Sequence, residues 1–222
     1  MTRYMVHACP AREWYVRGYL VPSMLEQGIH PSQITIWLDR EQKGNLASFV
    51  ESCRSLAGVP GGTWHLQDDV CICSDFAQRT KIDKTLVIAG FCYNGYEADD
   101  PPVTGAVMPC RLWHSCFQCV YIPNFLAAEF ADWMRDTAPA VPEYAEMIAT
   151  GKMDDTLFHC FLCDQHPTGV CLNLAPHLVE HVDYLVGGSQ INQWRGHTSR
   201  GYYFEDDGAV DALLQKLARQ RA

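Results

Sequence analysis

The sequence predicts an α/β fold in one domain, built on a mostly parallel sheet. Strand and helix patterns alternate through the first 70 residues in the order strand, helix, strand, helix, strand. This alternation is typical of parallel strands joined by right-handed crossovers. In addition, acidic residues follow the second and third of these strands, with Asp39 after one and Asp68 and Asp69 after the other. Such strand ends share one edge of a parallel sheet, where ligands bind.

The early elements are predicted from the spacing of their apolar residues. They are a strand over 4–8, a helical pattern over 10–25, a strand over 34–38, a helix over 46–56 and an acidic strand over 64–70. Continuous apolar runs indicate buried strands, and spacings of three and four residues indicate helices. Glycine and proline residues at 58–62 break the chain before the acidic strand.

The later elements follow the same patterns. They are a strand over 85–91, a strand over 119–123, a helix from 124 to 134, a linker over 139–142, a helix that begins at 154 and a terminal helix over 209–217. Asn124 is the predicted N-cap of its helix, whose inward face includes Phe125. No domain boundary is evident, so residues 1–222 are predicted to form one domain.

Composition limits the possible classes of protein. Of the 222 residues 48% are hydrophobic and 19% are charged, which is typical of a soluble globular protein. The net charge of −9 argues against a dedicated nucleic-acid-binding protein, which usually carries a basic face. The sequence contains no long apolar run, and its N-terminal residues do not resemble a signal peptide. Eleven cysteines without an export signal favour a reducing compartment, so we expect a cytoplasmic protein.

The stretch from Trp64 to Val70 carries the strongest chemical signal. Asp68 and Asp69 repel each other, and a cation beside them relieves that repulsion. Carboxylate oxygens favour Mg²⁺ or Mn²⁺, and these ions favour a diphosphate. Gln67 adds an amide suited to a ribose or sugar hydroxyl. The alternative is an exposed turn that carries two aspartates and binds nothing.

The order of several segments resembles that of GT-A glycosyltransferases, over about residues 3–205. The segments are Pro10 to Tyr15 after the first strand, Asp39 after the second, Gln67-Asp68-Asp69 in place of the Asp-x-Asp motif, Gly151 to Asp155 at the acceptor side, and Pro176 to Val182, which is similar to a late element that supplies a metal-binding histidine. The resemblance implies a GT-A-like mixed, mostly parallel sheet flanked by helices. It also implies a nucleotide-sugar half at about residues 1–105 and an acceptor half at about 106–222. The short chain looks most like a compact bacterial or phage-encoded member.

The resemblance also implies roles for individual residues. Asp69 and His181 would hold the Mn²⁺ or Mg²⁺ ion that bridges the phosphates of a nucleoside-diphosphate sugar. Asp68 would support that site or contact the donor sugar. Gln67 departs from the motif, whose first position is Asp, although an amide can still bond a hydroxyl. Asp39 would lie near the base or ribose.

Other residues would complete the donor site and the chemistry. By the same resemblance, Pro10 and Arg12 would lie at the nucleotide pocket, and Asp155, or alternatively Asp154, would deprotonate the acceptor hydroxyl in an inverting displacement. Arg195, in the basic segment 194–200, is a candidate phosphate partner on chemical grounds, although that segment could equally be a solvated loop. The two aspartates could instead only stabilise a helix N-terminus.

Several alternatives stay open. Cys116 with Cys119 and Cys160 with Cys163 suggest a zinc site, but free cysteines also pack as small hydrophobes. A nucleotidyltransferase would use a similar carboxylate pair, although residues 8–12 lack the glycines it needs. A catalytically inactive nucleotide-sugar-binding module is the third possibility. The acceptor could be a hydroxymethylated DNA base, a glycan, a protein or a small molecule, and the oligomeric state is not predicted.

Overall fold

The computed structural model describes residues 2–81, 85–91, 107–110, 117–174, 176–188, 204 and 206–221. Its strands, in chain order, are β1 (Arg3–Ala8), β2 (Ile34–Leu38), β3 (Gly62–Gln67), β4 (Val70–Ile72), β5 (Val87–Ala89), β6 (Val107–Pro109), β7 (Cys119–Pro123), β8 (Val170–Asn173) and β9 (Val179–His181). Seven of them form one sheet in the order β2-β1-β3-β7-β5-β8-β6, and β4 pairs with β9 in a separate ladder.

The large sheet is mixed and mostly parallel, as predicted. Strand β1 lies between β2 and β3 and runs parallel to both, with Ala8 opposite Leu38 and His7 opposite Gln67. Strand β5 is parallel to β8, whereas β7 and β6 run antiparallel to their neighbours. Five of the seven strands therefore share one direction. The carboxyl ends of β1, β2 and β3 meet at one edge of the sheet.

Helices cover the sheet on both faces. They are α1 (Glu13–Tyr15), α2 (Val21–Glu26), α3 (Asn45–Ser55), α4 (Phe76–Arg79), α5 (Asn124–Asp136), α6 (Pro142–Ala149), α7 (Asp154–Gln165) and α8 (Asp207–Arg221). A π-helical stretch, Val16–Leu20, joins α1 to α2. The mixed α/β class with flanking helices is confirmed.

Successive residues of the central strands point to opposite faces, and each face has its own core. In β3, Trp64 and Leu66 pack with Tyr15 in one core, and both are fully buried. In β7, Val120 and Ile122 pack in the other core, whose aromatic residues are contributed by several helices. This second core includes Phe49 of α3, Phe130 of α5 and Phe158 of α7. The two cores hold the sheet and its helices in fixed register around the edge where the acidic residues lie.

Some element boundaries differ from the predictions. Asn124 is the first residue of α5 and is not its N-cap; its Oδ1 accepts a 2.8 Å hydrogen bond from Thr63 Oγ1, and its Nδ2 donates to Val59 O. Phe125 was expected to pack inward, yet its side chain is 51% exposed. The strand predicted over 85–91 is shorter, and the expected linker contains a 3₁₀ turn and the start of α6 at Pro142. Among the helices of the described ranges, none combines the length and apolar character that crossing a bilayer requires.

Candidate active site

The acidic pair lies in the turn between β3 and β4. Strand β3 ends at Gln67, Asp68 and Asp69 form the turn, and β4 begins at Val70. Val70 is paired with His181 in the antiparallel β4–β9 ladder, and Val182 N donates a 2.7 Å hydrogen bond to Asp69 O. This local pairing brings the side chains of Asp69 and His181 together, although the two residues are more than a hundred positions apart in sequence.

The predicted site residues line one cleft of about 630 Å³ at the carboxyl ends of β1, β2 and β3. Those present are Pro10, Arg12, Asp39, Gln67, Asp68, Asp69, Asp154, Asp155 and His181. Arg195, with the rest of segment 194–200, lies outside the described residues. The predicted residues that the structure describes therefore lie together, and their roles stay predictions.

Arg12 forms the main ionic contact of the cleft. Its side chain is 4% exposed, and its Nη1 donates to Asp68 Oδ1 at 2.8 Å and also to Asp69 Oδ2. Its Nη2 donates to the backbone oxygen of Gly188. Burial alone would lower the pKa of Arg12, but the charges of Asp69 and Asp68 outweigh burial and raise it. The guanidinium is therefore permanently charged and neutralises part of the acidic pair.

The two aspartates have different environments. Burial and the neighbouring charge of Asp69 raise the pKa of Asp68, whose Oδ2 accepts a 2.7 Å hydrogen bond from Cys9 N. Burial would also raise the pKa of Asp69, but the contacts of that carboxylate with His181 and Arg12 lower it. Asp69 is consequently the carboxylate that is held ionised, as a cation-binding group must be.

Three buried polar atoms of the cleft have no hydrogen-bond partner among the described residues. They are Oδ1 of Asp69 and Oε1 of Gln118, both acceptors, and Nε of Arg12, a donor. A buried polar group without a partner costs about 1–3 kcal/mol, and more when the group is charged. A ligand that carries both a cation and anionic oxygens would satisfy the two atoms on charged side chains, Oδ1 of Asp69 and Nε of Arg12, together.

The predicted metal ligands lie side by side. Nε2 of His181 is 3.2 Å from Oδ2 of Asp69 and 3.9 Å from Oδ2 of Asp183. Ligand atoms about 3 Å apart fit adjacent positions around an octahedral ion bound at about 2.1 Å. Within the part of the chain that the structure describes, no three His, Cys, Asp or Glu side chains form a complete metal centre. An ion held by Asp69 and His181 would take its remaining ligands from water or from a bound anion, as Mg²⁺ usually does.

The state of His181 also matters for binding a metal. Burial would lower the pKa of its imidazole, but the hydrogen bond and charge of Asp69, with that of Asp183, raise it. An imidazole binds a metal only in its neutral form. A cation at this position would therefore bind in competition with a proton.

The first turn of α7 forms the part of the cleft that contains the two predicted base residues. Asp154 is 6% exposed, and its Oδ1 accepts a 2.8 Å hydrogen bond from Asn45 Nδ2. Burial first, and then the charge of Asp155, raise the pKa of Asp154 to about 7. Asp155 is only partly buried, and its Oδ1 accepts hydrogen bonds from Thr156 N and Oγ1. Asp154 thus has the pKa suited to a general base, whereas Asp155 is the more accessible carboxylate.

The predicted nucleotide-side residues have structural contacts of their own. Both carboxylate oxygens of Asp39 accept hydrogen bonds from the backbone, one from Lys43 N and one from Gly44 N, each at 3.0 Å. Asp39 therefore holds the turn that leads into α3. Oε1 of Gln67 accepts a 3.2 Å hydrogen bond from Gln118 Nε2, and Pro10 begins a 3₁₀ turn that ends at Arg12.

A pair of histidines next to the cleft was not singled out by the sequence. Nε2 of His7 lies 2.9 Å from Nδ1 of His65, and the two rings stack. Burial lowers the pKa of His7 to about 4 and also lowers that of His65. Strand alternation places both on the same face of the sheet, which is the signal that could have revealed the pair. His7 lines the cleft and presents a neutral ring to it.

The zinc hypothesis gains no support within the described ranges. Cys119 is fully buried in β7, where burial raises the pKa of its thiol. Cys160 and Cys163 lie in α7, and Sγ of Cys163 is 3.4 Å from Nε2 of His159. No cluster of three potential ligands forms there. Cys116 falls outside the described residues.

Comparisons with known proteins find similarity among solved structures. No protein-family profile and no curated protein sequence matches the chain. Among solved structures, the chain is similar to the crystal structure of the apo form of the glycosyltransferase GlyE of Streptococcus pneumoniae TIGR4, at 14% sequence identity and a TM-score of 0.41. The match covers 97% of this chain and 64% of that chain, so this protein spans less than two thirds of its length. Similarity at this level assigns no activity.

Proposed function

We propose that the protein is a metal-dependent glycosyltransferase of the GT-A type, which moves a sugar from a nucleoside-diphosphate sugar, UDP-sugars being favoured, to an acceptor hydroxyl. The observation that carries the proposal is the pair of unsatisfied buried atoms, Asp69 Oδ1 and Arg12 Nε, at the sheet edge. Oδ1 of Asp69 needs a cation or a hydrogen-bond donor, and Nε of Arg12 needs an anionic oxygen. A divalent ion bound to a diphosphate supplies both.

The donor-binding residues have separate tasks. Asp69 and His181 would hold Mn²⁺ or Mg²⁺, which supplies charge neutralisation for the leaving diphosphate when it is bound. Arg12 lies next to that position and donates to phosphate oxygens, a task that Arg195 would share. Gln67 and Asp68 lie at the same strand end and would contact sugar or ribose hydroxyls.

The remaining nucleotide contacts come from the neighbouring strand ends. Pro10 follows β1 and Asp39 follows β2, and both line the cleft beside the acidic turn. They would border the base and ribose. Because both oxygens of Asp39 already accept backbone hydrogen bonds, any nucleotide contact to this residue uses its remaining lone pairs.

The chemical step needs a base on the acceptor side. Asp155, or alternatively Asp154, would accept the proton of the acceptor hydroxyl while that oxygen bonds to the anomeric carbon and the bond to the diphosphate breaks. Attack from the face opposite the leaving group inverts the anomeric configuration. The two carboxylates line the same cleft as the acidic turn, which supports this division of tasks.

The acceptor is proposed only as a class that presents a hydroxyl. A hydroxymethylated DNA base, a glycan, a protein and a small molecule all present one. The net charge of −9 disfavours a DNA duplex, from which the base would also have to be flipped out.

Donor binding is the direct test. Thermal unfolding is followed with UDP-, GDP- and dTDP-sugars, with and without Mn²⁺, and hydrolysis of each sugar nucleotide is measured in parallel. A ligand at a hundred times its Kd stabilises the fold by about 2.7 kcal/mol. We expect metal-dependent stabilisation by one nucleotide sugar, lost in Asp69→Ala and Asp69→Asn. Asp132→Asn is the matched control, because its carboxylate is 62% exposed on α5.

Other outcomes would contradict the proposal. A folded protein that responds to none of the sugar nucleotides would favour an inactive module or an unrelated activity. A response confined to nucleoside triphosphates would favour a nucleotidyltransferase. If a nucleotide sugar stabilises the fold equally with and without metal, donor binding is supported and the proposed metal dependence is wrong.

A further inference from the structure

Arg12 occupies the position at which a cation would neutralise the acidic turn. One of its nitrogens, Nη1, contacts a carboxylate oxygen of Asp68 and one of Asp69. The three side chains are almost completely buried. Asp69 is also the carboxylate beside His181, so the guanidinium and the proposed metal ion share one binding partner.

Two cations at one buried carboxylate repel each other strongly, because little water screens them. With Arg12 in place, the acidic turn is already largely neutralised. A divalent ion that enters without an anion would therefore be attracted only weakly by the net charge of the pocket. An ion that enters with a diphosphate brings the negative charge that can hold both cations.

The guanidinium has an unused donor suited to that anion. Nε of Arg12 is buried without a hydrogen-bond partner among the described residues. Arginine binds phosphate through paired, charge-assisted hydrogen bonds, so phosphate oxygens can replace a carboxylate as the acceptor for its guanidinium. The contact to Asp69 can thus be given up without leaving the guanidinium unpaired.

We propose, on the basis of the donor binding proposed above, that Arg12 is the resident counter-ion of the acidic pair in the donor-free protein and is exchanged when the donor binds. The metal ion takes the carboxylate of Asp69, and Arg12 transfers hydrogen bonds from that carboxylate to the diphosphate. Arg12 is then a positioning residue that makes the binding of metal and of nucleotide mutually dependent. By linkage, each ligand raises the affinity of the other to the same extent.

The exchange also affects the segment that ends at Gly188. Nη2 of Arg12 donates to Gly188 O, and Gly188 N donates to Asp183 O at 2.7 Å. A guanidinium that turns toward a diphosphate changes its contact with Gly188. The same movement therefore links donor binding to the chain that follows β9.

The test is the affinity of Mn²⁺ for the protein, measured by electron paramagnetic resonance or calorimetry with and without UDP. Removing the charge in Arg12→Gln should raise the affinity for Mn²⁺ alone by about tenfold or more and weaken the effect of UDP on it. Arg12→Lys keeps the charge, so its affinity for Mn²⁺ alone should stay near that of the unchanged protein. Arg17→Gln is the matched control, since Arg17 pairs with Glu13 on the exposed side of the same helical segment.

A second measurement needs no variant. In protein labelled with ¹⁵N-arginine, the Nε–H resonance of Arg12 should move when Mg²⁺ and UDP are added together and stay in place with Mg²⁺ alone. This readout remains available if Arg12→Gln does not fold.

The outcomes separate this inference from the proposed function. Unchanged or weaker Mn²⁺ binding in folded Arg12→Gln, with UDP still raising the affinity in both proteins, would overturn the exchange and leave the donor site standing. The exchange would also be overturned if the Nε–H resonance of Arg12 stays in place when Mg²⁺ and UDP are added together. Failure of every variant to bind Mn²⁺, with or without UDP, would remove both the exchange and the metal dependence on which it rests.

Discussion

Nε2 of His181 lies 3.2 Å from Oδ2 of Asp69 because Val70, the residue after Asp69, is paired with His181 across the β4–β9 ladder. The two ladder strands are only three residues long, and their backbone pairing fixes the relative position of the two side chains. A short antiparallel ladder thus completes a site whose other residues follow the ends of the large parallel strands.

Replacing the imidazole should weaken metal binding. We expect His181→Ala to reduce the affinity for Mn²⁺, measured with UDP present, by about tenfold or more, because one of the two proposed protein ligands is lost. His166→Ala is the matched control, since its Nε2 lies 3.1 Å from Glu129 Oε2 in a comparable pair outside the cleft. Equal losses in the two variants would count against a metal-binding role for His181.

The buried carboxyl of Asp154 should make stability depend on pH. Its pKa of about 7 in the folded protein is above the ordinary value of 3.8, so the folded state favours the protonated form. The stabilisation is fully present below pH 3.8 and is lost as the pH rises through 7. Asp154→Asn should therefore be about 2–4 kcal/mol more stable than the unchanged protein at pH 8 and nearly equal to it at pH 4.

Chemical denaturation at several pH values checks this prediction. Asp132→Asn, on the exposed side of α5, should show no such difference. If the free energy of unfolding depends on pH in the same way in Asp154→Asn and in the unchanged protein, the carboxyl of Asp154 is not desolvated.

The half-buried His7 next to the cleft should act in the opposite direction. The pKa of His7 is lowered to about 4, so its neutral form is favoured in the folded protein. Its contribution is present above pH 6.5 and is lost as the pH falls toward 4. His7→Asn should reduce the acid-induced loss of unfolding free energy between pH 6.5 and 4 by about 2 kcal/mol. His30→Asn, an exposed control, should leave the slope unchanged.

The choice between the two candidate bases can be made kinetically. If Asp155 accepts the acceptor proton, Asp155→Asn should lower kcat by about 10²–10⁴-fold and leave donor affinity unchanged. Asp154→Asn would then lower kcat only slightly. The reverse pattern would assign the base to Asp154, and two small effects would exclude both. Donor binding, measured separately for each variant, shows whether the cleft is intact.

The first half of the fold was predictable because its signals are local. Strand β2 is a continuous apolar run, α3 has regular helical spacing, and β3 ends abruptly at two aspartates. The N-cap assignment of Asn124 failed because the residue has a tertiary partner, Thr63, which local preference does not reveal.

The set of residues that meet at the cleft was easier to predict than the contacts that they make there. The acidic pair followed from strand ends, whereas His181 came only from a family resemblance, since a three-residue strand such as β9 gives little periodic signal. The ion pairs of Arg12 were not foreseen, because they depend on how a turn after β1 packs against one after β3. The raised pKa of Asp154 likewise depends on burial that sequence spacing does not show.

The hydrogen bond between Arg12 and Gly188 joins residues that are 176 positions apart. Closing so long a loop costs chain entropy that only a largely assembled protein can offset. We therefore expect the cleft to be among the last parts of the molecule to form during folding. A growing chain would carry the acidic turn long before the cleft is assembled, so binding of the proposed donor would indicate that the whole fold is complete.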